Sequence, residues 1–305
     1  MLGDVPADPH ENVSFSSEIA REVLGKAGES SGLQVDGAKL IRFGQNAIFR
    51  LADDPVVVRV GRAPDRMPIL RRELCVARWL DSQAVPVAVP YDHVAHPLNV
   101  NGYPVSFWHA VDDGLPRPDA ADLARLLSKF HRAGASACDL PPLDALAEVG
   151  PRLRAAHNIP NEDREFMRRY AEELSARYRG LRFELPPGPL HGDAHTGNLL
   201  GRHSAAFLTD FEAAATGPRE WDLTPVAVGH LRLGLPRDEY RAFVAAYGFD
   251  VIEWDGFDIL RGIREIGMIT WLMQNVDEGQ HVADEFAHRL KSIRDGDDTR
   301  EWHAF

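Results

Sequence analysis

The chain has 305 residues, 44% apolar and 26% charged, which excludes disordered, fibrous and membrane-embedded classes and leaves room for two lobes or modest domains. A formal net charge of −12 disfavours nucleic acid and anionic membrane as partners, since clustered Lys and Arg bind both, and makes a cationic small molecule electrostatically welcome. The opening MLGDVPADPHENVSF lacks the basic flank and apolar core of a signal peptide, so a cytoplasmic protein is expected; its oligomeric state is not legible. The 2 cysteines, Cys75 and Cys138, each sit in a helix-like pattern far from the other, which predicts buried free thiols in a reducing compartment.

Residues 14–27 predict a helix capped by Ser16 or Ser17, with Ile19, Val23 and Leu24 on one face. The texture then changes. KLIRF, AIFRL and VVVRV, between residues 38 and 60, are short β-like runs separated by Gly44-Gln45-Asn46 and Asp53-Asp54-Pro55, which favour turns. They predict an antiparallel meander. A helix over 69–80 follows, and VPVAVPYDHVAH and YPVSFWHAV, rich in Val, aromatics and Pro, look extended. The turn-rich stretch at 112–120 reads as a boundary between residues 1–110, a small sheet with an inserted helix, and residues 111–305, mainly helical. In the second part Asp119 can cap a helix whose Leu123, Leu126, Leu127 and Phe130 form one stripe, with His131 after it expected to be buried or capping. Further helices are expected over 163–178, 237–247 and 258–276, the last with Gly262 and Gly267 allowing close helix contact.

Between these helices lies PLHGDAHTGNLLGRHSAAFLTDFEAA, short extended pieces around a polar loop. No GxxxxGK[ST] loop occurs, and no GxGxxG follows a strand. The strongest local pattern is His191-Gly192-Asp193, with Asn198 and then Asp210 downstream. Phosphoryl transfer needs such a set: one carboxylate, Asp193, to orient an acceptor hydroxyl and take its proton, and hard oxygen donors, Asn198 and Asp210, for Mg²⁺. A second reading uses His191, Asp193 and His195, which alternate and would share one face of an extended segment as Zn²⁺ ligands in a hydrolase. Gly192 and Gly197 favour a loop instead, and His195 is then a loop-packing or substrate-side residue.

In VVVRV a period of two puts Val56, Val58 and Val60 on one face and Val57 with Arg59 on the other. In the following helix Ile69, Glu73, Val76 and Leu80 share a face. A carboxylate among apolar residues is costly unless paired, and Arg59 is its natural partner.

The order HGDxxxxN, then a strand ending in Asp-Phe, then Gly217-Pro218 and Trp221-Asp222-Leu223, resembles the aminoglycoside phosphotransferase and choline kinase group over roughly residues 38–290. The resemblance implies an α+β, two-lobed protein-kinase-like fold that binds ATP or GTP with Mg²⁺ in its cleft. It implies Asp193 as base, Asn198 and Asp210 as metal ligands, and Asp222, with His191, as support for the catalytic loop. Arg59 stands where a kinase normally has the Lys that holds the α- and β-phosphates and pairs with a Glu, here Glu73. Val57 would roof the adenine, Gly44 and Asn46 would flank the phosphates, and 107–110, with Trp108 and His109, would contact the base. Three features depart from the kinase pattern: Arg59 for Lys, a single glycine in Phe43-Gly44-Gln45-Asn46, and Glu212 after Asp-Phe.

The implied acceptor is a small hydroxyl-bearing molecule: an aminoglycoside-like antibiotic first, a metabolic sugar or amino alcohol next. A degenerate nucleotide-binding module is the non-enzyme alternative that Arg59 suggests. Trp254, Trp271, Asp277, Glu278, Asp284 and Glu285 lie where the family usually builds its acceptor pocket, and a solvated acidic helix face also fits them.

Overall fold

In the computed structural model, which describes residues 15–44, 46–112, 114–134, 136, 138–299 and 301–303, backbone contacts divide the chain into two units. One comprises the segments Met1–Leu74 and Ala88–Val111, the other Cys75–Val87 and Asp112–Phe305.

In the first unit the Ser16 hydroxyl accepts the Ile19 N–H at 3.3 Å and starts helix α1 (Ser17–Ser31). Strands β1 (Lys39–Phe43), β2 (Asn46–Arg50) and β3 (Val56–Gly61) form the expected meander, and helix α2 (Met67–Ser82) follows. Strands β4 (Leu98–Val100) and β5 (Tyr103–His109) complete an antiparallel five-stranded sheet in the order β1-β2-β3-β5-β4. Val56, Val58 and Val60 are fully buried and pack with Phe49 and Phe107 in one core with Ala20, Val23 and Leu24 of α1. Burying each such valine contributes about 1.5–3 kcal/mol relative to exposure. The register pairs Val57 with Trp108 and Arg59 with Ser106, so these four residues share the opposite face. The stretch expected to be extended before β4 makes only isolated bridges, at Val87 and Pro90, because its prolines lack ladder donors.

The second unit begins with α3 (Ala120–Arg132), whose Asp119 and Asp122 form a reciprocal capping box. Helices α4 (Val149–Ala155) and α5 (Asn161–Tyr178) follow. Four short strands, β6 (Gly188–Leu190), β7 (Leu199–Arg202), β8 (Ala205–Leu208) and β9 (Ala215–Gly217), make two antiparallel pairs, β6 with β9 and β7 with β8. Helices α6 (Glu220–Arg232), α7 (Arg237–Tyr247), α8 (Phe257–Met273) and α9 (Gln280–Asp295) end the chain. Of the two glycines expected to allow close helix contact, Gly262 does so: a Cβ there would lie 2.8 Å from Leu174 of α5. Gly267 has open space around it. Among the described residues no helix is long and apolar enough to cross a membrane.

The cysteines are not free. Cys75 of α2 and Cys138 are joined as a disulfide across a sequence separation of 63. The C-terminal half of α2 packs on α3, with the Trp79 ring 5.9 Å from that of Phe130, and this brings together two thiols that sequence distance kept apart. The thiol argument for a reducing compartment falls with the pairing.

Candidate active site

The loop between β6 and β7, residues 191–198, is held from below by buried groups. Gly192 has φ +87°, and a Cβ on it would sit 2.0 Å from the Ala213 carbonyl oxygen, so only glycine fits. The fully buried Asp222, in the first turn of α6, accepts the main-chain N–H groups of His191 at 2.7 Å and Gly192 at 2.8 Å. Its Oδ2 also lies 2.9 Å from His131 Nε2, and His131 Nδ1 is 2.7 Å from the Tyr247 hydroxyl. These bonds offset the cost of taking a carboxylate out of water. Trp221 adds a third tie to the loop, its indole N–H donating to the Gly192 carbonyl at 2.9 Å. His191 is buried and donates from Nε2 to the Thr209 carbonyl at 3.0 Å, linking the loop to the segment after β8.

Leu199 pairs with Leu208 across the β7–β8 hairpin, so Asn198 and Thr209 face one another at its open end, where the Thr209 N–H donates to the Asn198 carbonyl at 3.1 Å. Asp210 comes next, in a left-handed conformation at φ +68° that Asp tolerates better than most residues. Phe211 is buried against His191 at 5.2 Å. The Asn198 side-chain amide donates from Nδ2 to the Asp193 carbonyl at 2.9 Å, which fixes which end of the amide is its oxygen. An amide oxygen and a carboxylate brought to one hairpin end are hard donors of the type a divalent metal such as Mg²⁺ takes.

Asp193 itself is half-buried. Its Oδ1 accepts from Arg264 Nη2 at 2.6 Å, and Oδ2 lies 3.5 Å from His195 Nε2. Burial alone would raise its carboxyl, but the His195 contact and the Arg264 charge outweigh it and hold the group well below the usual carboxylate range. His195 also caps the short turn that follows, its Nδ1 accepting the Gly197 N–H at 3.1 Å. The alternative Zn²⁺ set does not form, since His191 Nε2 is taken up by the Thr209 carbonyl; among the described residues the His, Cys and acidic side chains that converge in a group of three are Asp119, Asp122 and His203. Two of these are the α3 capping box, with His203 Nδ1 2.8 Å from Asp122.

In the first unit Arg59 Nη1 donates to Glu73 Oε1 at 2.5 Å, the pairing that the two periodicities predict. Glu73 is only 1% exposed, and removing one partner of such a pair costs about 3–5 kcal/mol. The Arg59 guanidinium lies 5.8 Å over the Trp108 ring, and Trp108 is itself buried with its indole N–H donating to the Ser106 hydroxyl at 2.9 Å. Val57, Arg59, Glu73 and Trp108 are thus gathered on one side of the sheet. Gly44 is exposed in the β1–β2 turn, Asn46 pairs across from Gly61, and the exposed His109 at the end of β5 packs on Tyr91 at 4.9 Å.

The acidic and aromatic residues expected near the acceptor divide. Trp254 is buried against Phe183, and Glu285 is buried between Arg289 at 2.6 Å and His303 at 2.8 Å, so both belong to the packing of the second unit. Asp277 accepts from the Asn158 amide and Asp284 from Gln280. Trp271 remains 38% exposed. Sequence reading missed Arg264, 71 residues from Asp193, and Tyr247; the one available signal for Arg264 is its position four and seven residues before Met268 and Trp271 on a single helix face.

A loop carboxylate braced from beneath, with an amide and a second carboxylate held nearby across a hairpin, is the construction of kinase-like phosphotransferases, and the fold is of that kind. The chain belongs to the phosphotransferase enzyme family (APH), whose model matches residues 39–261. It is 26% identical over 286 residues to the "Serine/threonine protein kinase RdoA" of Salmonella typhimurium, covering 87% of this chain and 86% of that one. Its fold is similar to an amicoumacin kinase solved with AMP-PNP, Ca²⁺ and its antibiotic, at TM-score 0.71 and 14% identity over 94% of this chain and 95% of that one. It is also similar to the choline kinase LicA of Streptococcus pneumoniae, at TM-score 0.67 and 14% identity over 92% and 100% of the two chains.

Proposed function

We propose that the protein transfers the γ-phosphoryl group of ATP to a hydroxyl of a small molecule, with Asp193 as the base. The observation that carries this reading is an Asp193 carboxylate, bonded to Arg264, on a loop whose main chain is tied to buried Asp222 and to the Asn198 amide, with Asp210 at the same hairpin end. The Asp193 carboxylate accepts the acceptor's O–H and takes its proton as the hydroxyl oxygen bonds to the γ-phosphorus. The bond from phosphorus to the bridging oxygen breaks, and ADP leaves with that electron pair. Asn198 Oδ1 and the Asp210 carboxylate would hold Mg²⁺, which supplies neutralisation of phosphate charge. Arg59, fixed by Glu73, offers the nucleotide phosphates a forked cation in place of the compact charge of Lys. GTP is the alternative donor.

An aminoglycoside-like acceptor draws support from the net charge and from the antibiotic kinase among the similar folds. Against it stands Arg264, a cation 2.6 Å from the very carboxylate to which a polycation would bring its hydroxyl. A metabolic hydroxyl compound suits the local charge better. A second reading, a serine or threonine hydroxyl in a protein, is favoured by the name of the Salmonella relative.

The test is phosphate transfer from labelled ATP with Mg²⁺ to a panel of antibiotics, sugars, amino alcohols, hydroxy acids and a generic serine/threonine-rich protein. A labelled small molecule is expected, and Asp193→Asn should slow transfer by about 100-fold or more, the usual worth of a general base, while keeping the ATP-induced thermal shift. Transfer to protein alone would select the second reading. No ATP-induced shift and no transfer would favour a degenerate module, and an undiminished Asp193→Asn would remove that residue from the mechanism.

A further inference from the structure

Helix α8 is buried on nearly every side: Leu260, Arg261, Gly262, Ile263, Glu265, Ile266, Ile269, Thr270, Leu272 and Met273 are all covered. What remains open between 264 and 271 is Arg264, Gly267, Met268 and Trp271. Their spacing of three, one and three makes a single stripe along the helix. The 2.6 Å bond from Arg264 to Asp193 fixes where the stripe begins, beside the carboxylate that receives the hydroxyl.

A second guanidinium reaches the same stripe. Arg152 of α4 donates from Nη1 to the Gly267 carbonyl at 3.1 Å, and Gly267 has no close neighbours where a side chain would stand. Arg152 and Arg264 are 20% and 24% exposed, so both are largely desolvated yet reachable. Burial and the Arg264 charge together push the Arg152 guanidinium down, against the pull of Glu148, which lies 4.0 Å away and is itself mostly exposed. Two half-buried cations therefore converge on one wall; among the described residues Arg152 pairs at 4.0 Å with the mostly exposed Glu148 and Arg264 at 2.6 Å with Asp193, the carboxylate needed for the hydroxyl. A guanidinium has five N–H donors in a fork, so Arg264 can hold Asp193 and a second anion together.

We infer that this wall is an anion subsite, and that the acceptor is a small hydroxylated molecule bearing a carboxylate or phosphate close to the hydroxyl that is phosphorylated. Arg264 and Arg152 take the anionic group, and Met268 and Trp271 lie along the carbon skeleton. The inference rests on the phosphotransferase reading of Asp193. It reverses the expectation of a cationic acceptor, because the −12 of the whole chain is not the charge of this wall.

The test uses the full chain in two arms. In the binding arm, D-glycerate, inorganic phosphate and neutral glycerol are titrated calorimetrically into wild type, Arg152→Gln and Arg264→Gln. Wild type should bind an anion and not glycerol, D-glycerate marking a carboxylate subsite and phosphate a phosphate subsite. Each variant should weaken that binding about tenfold, the worth of one charge-assisted hydrogen bond. No anion binding by wild type at millimolar concentration, or equal binding by both variants, overturns the inference. In the turnover arm, hydroxy acids and sugar phosphates are compared with their amides and parent sugars under ATP and Mg²⁺. A kcat/KM preference for the anionic member that shrinks in Arg152→Gln supports the subsite, and preference for neutral or cationic acceptors sinks it while leaving the phosphotransferase intact. Absence of any ATP binding sinks the phosphotransferase reading, and the calorimetric arm still decides the anion subsite.

Discussion

His131 Nε2 lies 2.9 Å from Asp222 Oδ2, with both side chains buried. The same carboxylate holds the N–H groups of His191 and Gly192, so the imidazole orients the group that orients the loop. His131→Phe keeps a ring of similar size and removes one of the three polar contacts on Asp222. It should lower unfolding free energy by about 1–3 kcal/mol, the cost of a buried acceptor left short of a partner. Asp222→Ala should cost more, since two main-chain donors lose their acceptor as well. Urea unfolding reads both, and a His131→Phe protein as stable as wild type would show that the pair does not hold the loop.

The Asp193 carboxyl titrates far to the acid side because the His195 contact and the Arg264 charge overcome its burial. The sign follows from linkage: a carboxyl depressed in the folded state adds stability above its unfolded value of about 3.9, and that stability is lost as pH falls towards the folded value. At neutral pH the contribution is therefore fully present, and Asp193 stays ionised through the range in which kinases are assayed. Arg264→Gln removes one of the two lowering causes, so the acid limb of activity should move to higher pH. Rate profiles carried from pH 8 down to the lowest pH at which each protein stays folded, each normalised to its own maximum, measure this. Superimposable acid limbs would separate Arg264 from the ionisation of Asp193.

Much of the first unit was legible because its chemistry is local. VVVRV states its two faces by alternation, and Glu73 declares its need for a cation by sitting among Ile69, Val76 and Leu80, so the Arg59–Glu73 bond could be anticipated from two short runs. The second unit was legible where its helices carry a periodic apolar pattern, as in Arg237–Tyr247 and Phe257–Met273. Helix α6 was not, because Pro225 inside it reads as a breaker and burial on most sides leaves no polar face to mark a period. Trp254 and Glu285 looked like pocket residues by family resemblance, because the partners that bury them, Phe183 and His303, are distant in sequence, and the i,i+4 Arg289 alone does not mark Glu285 as buried. Arg264 was missed for the same reason: its helix face could be read, but its meaning lies in a carboxylate 71 residues away.

Cys75 and Cys138 show that limit in covalent form, since each looks like a buried thiol until α2 and α3 pack together. In the native, unreduced protein both should resist alkylation, and reduction followed by iodoacetamide should add two carbamidomethyl groups by intact mass. The bond closes a loop spanning 63 residues, and a closed loop restricts the unfolded chain far more than the folded one. Cys138→Ser should therefore unfold about 2–4 kcal/mol more easily in urea than the oxidised wild type, and wild type under reductant should fall by a similar amount. Because the loss comes mainly from the unfolded chain's regained freedom, the fold and the Asp193 loop should persist in the variant at low denaturant. Two reactive thiols in the native, unreduced protein would restore the free-thiol reading and with it the expectation of a reducing compartment.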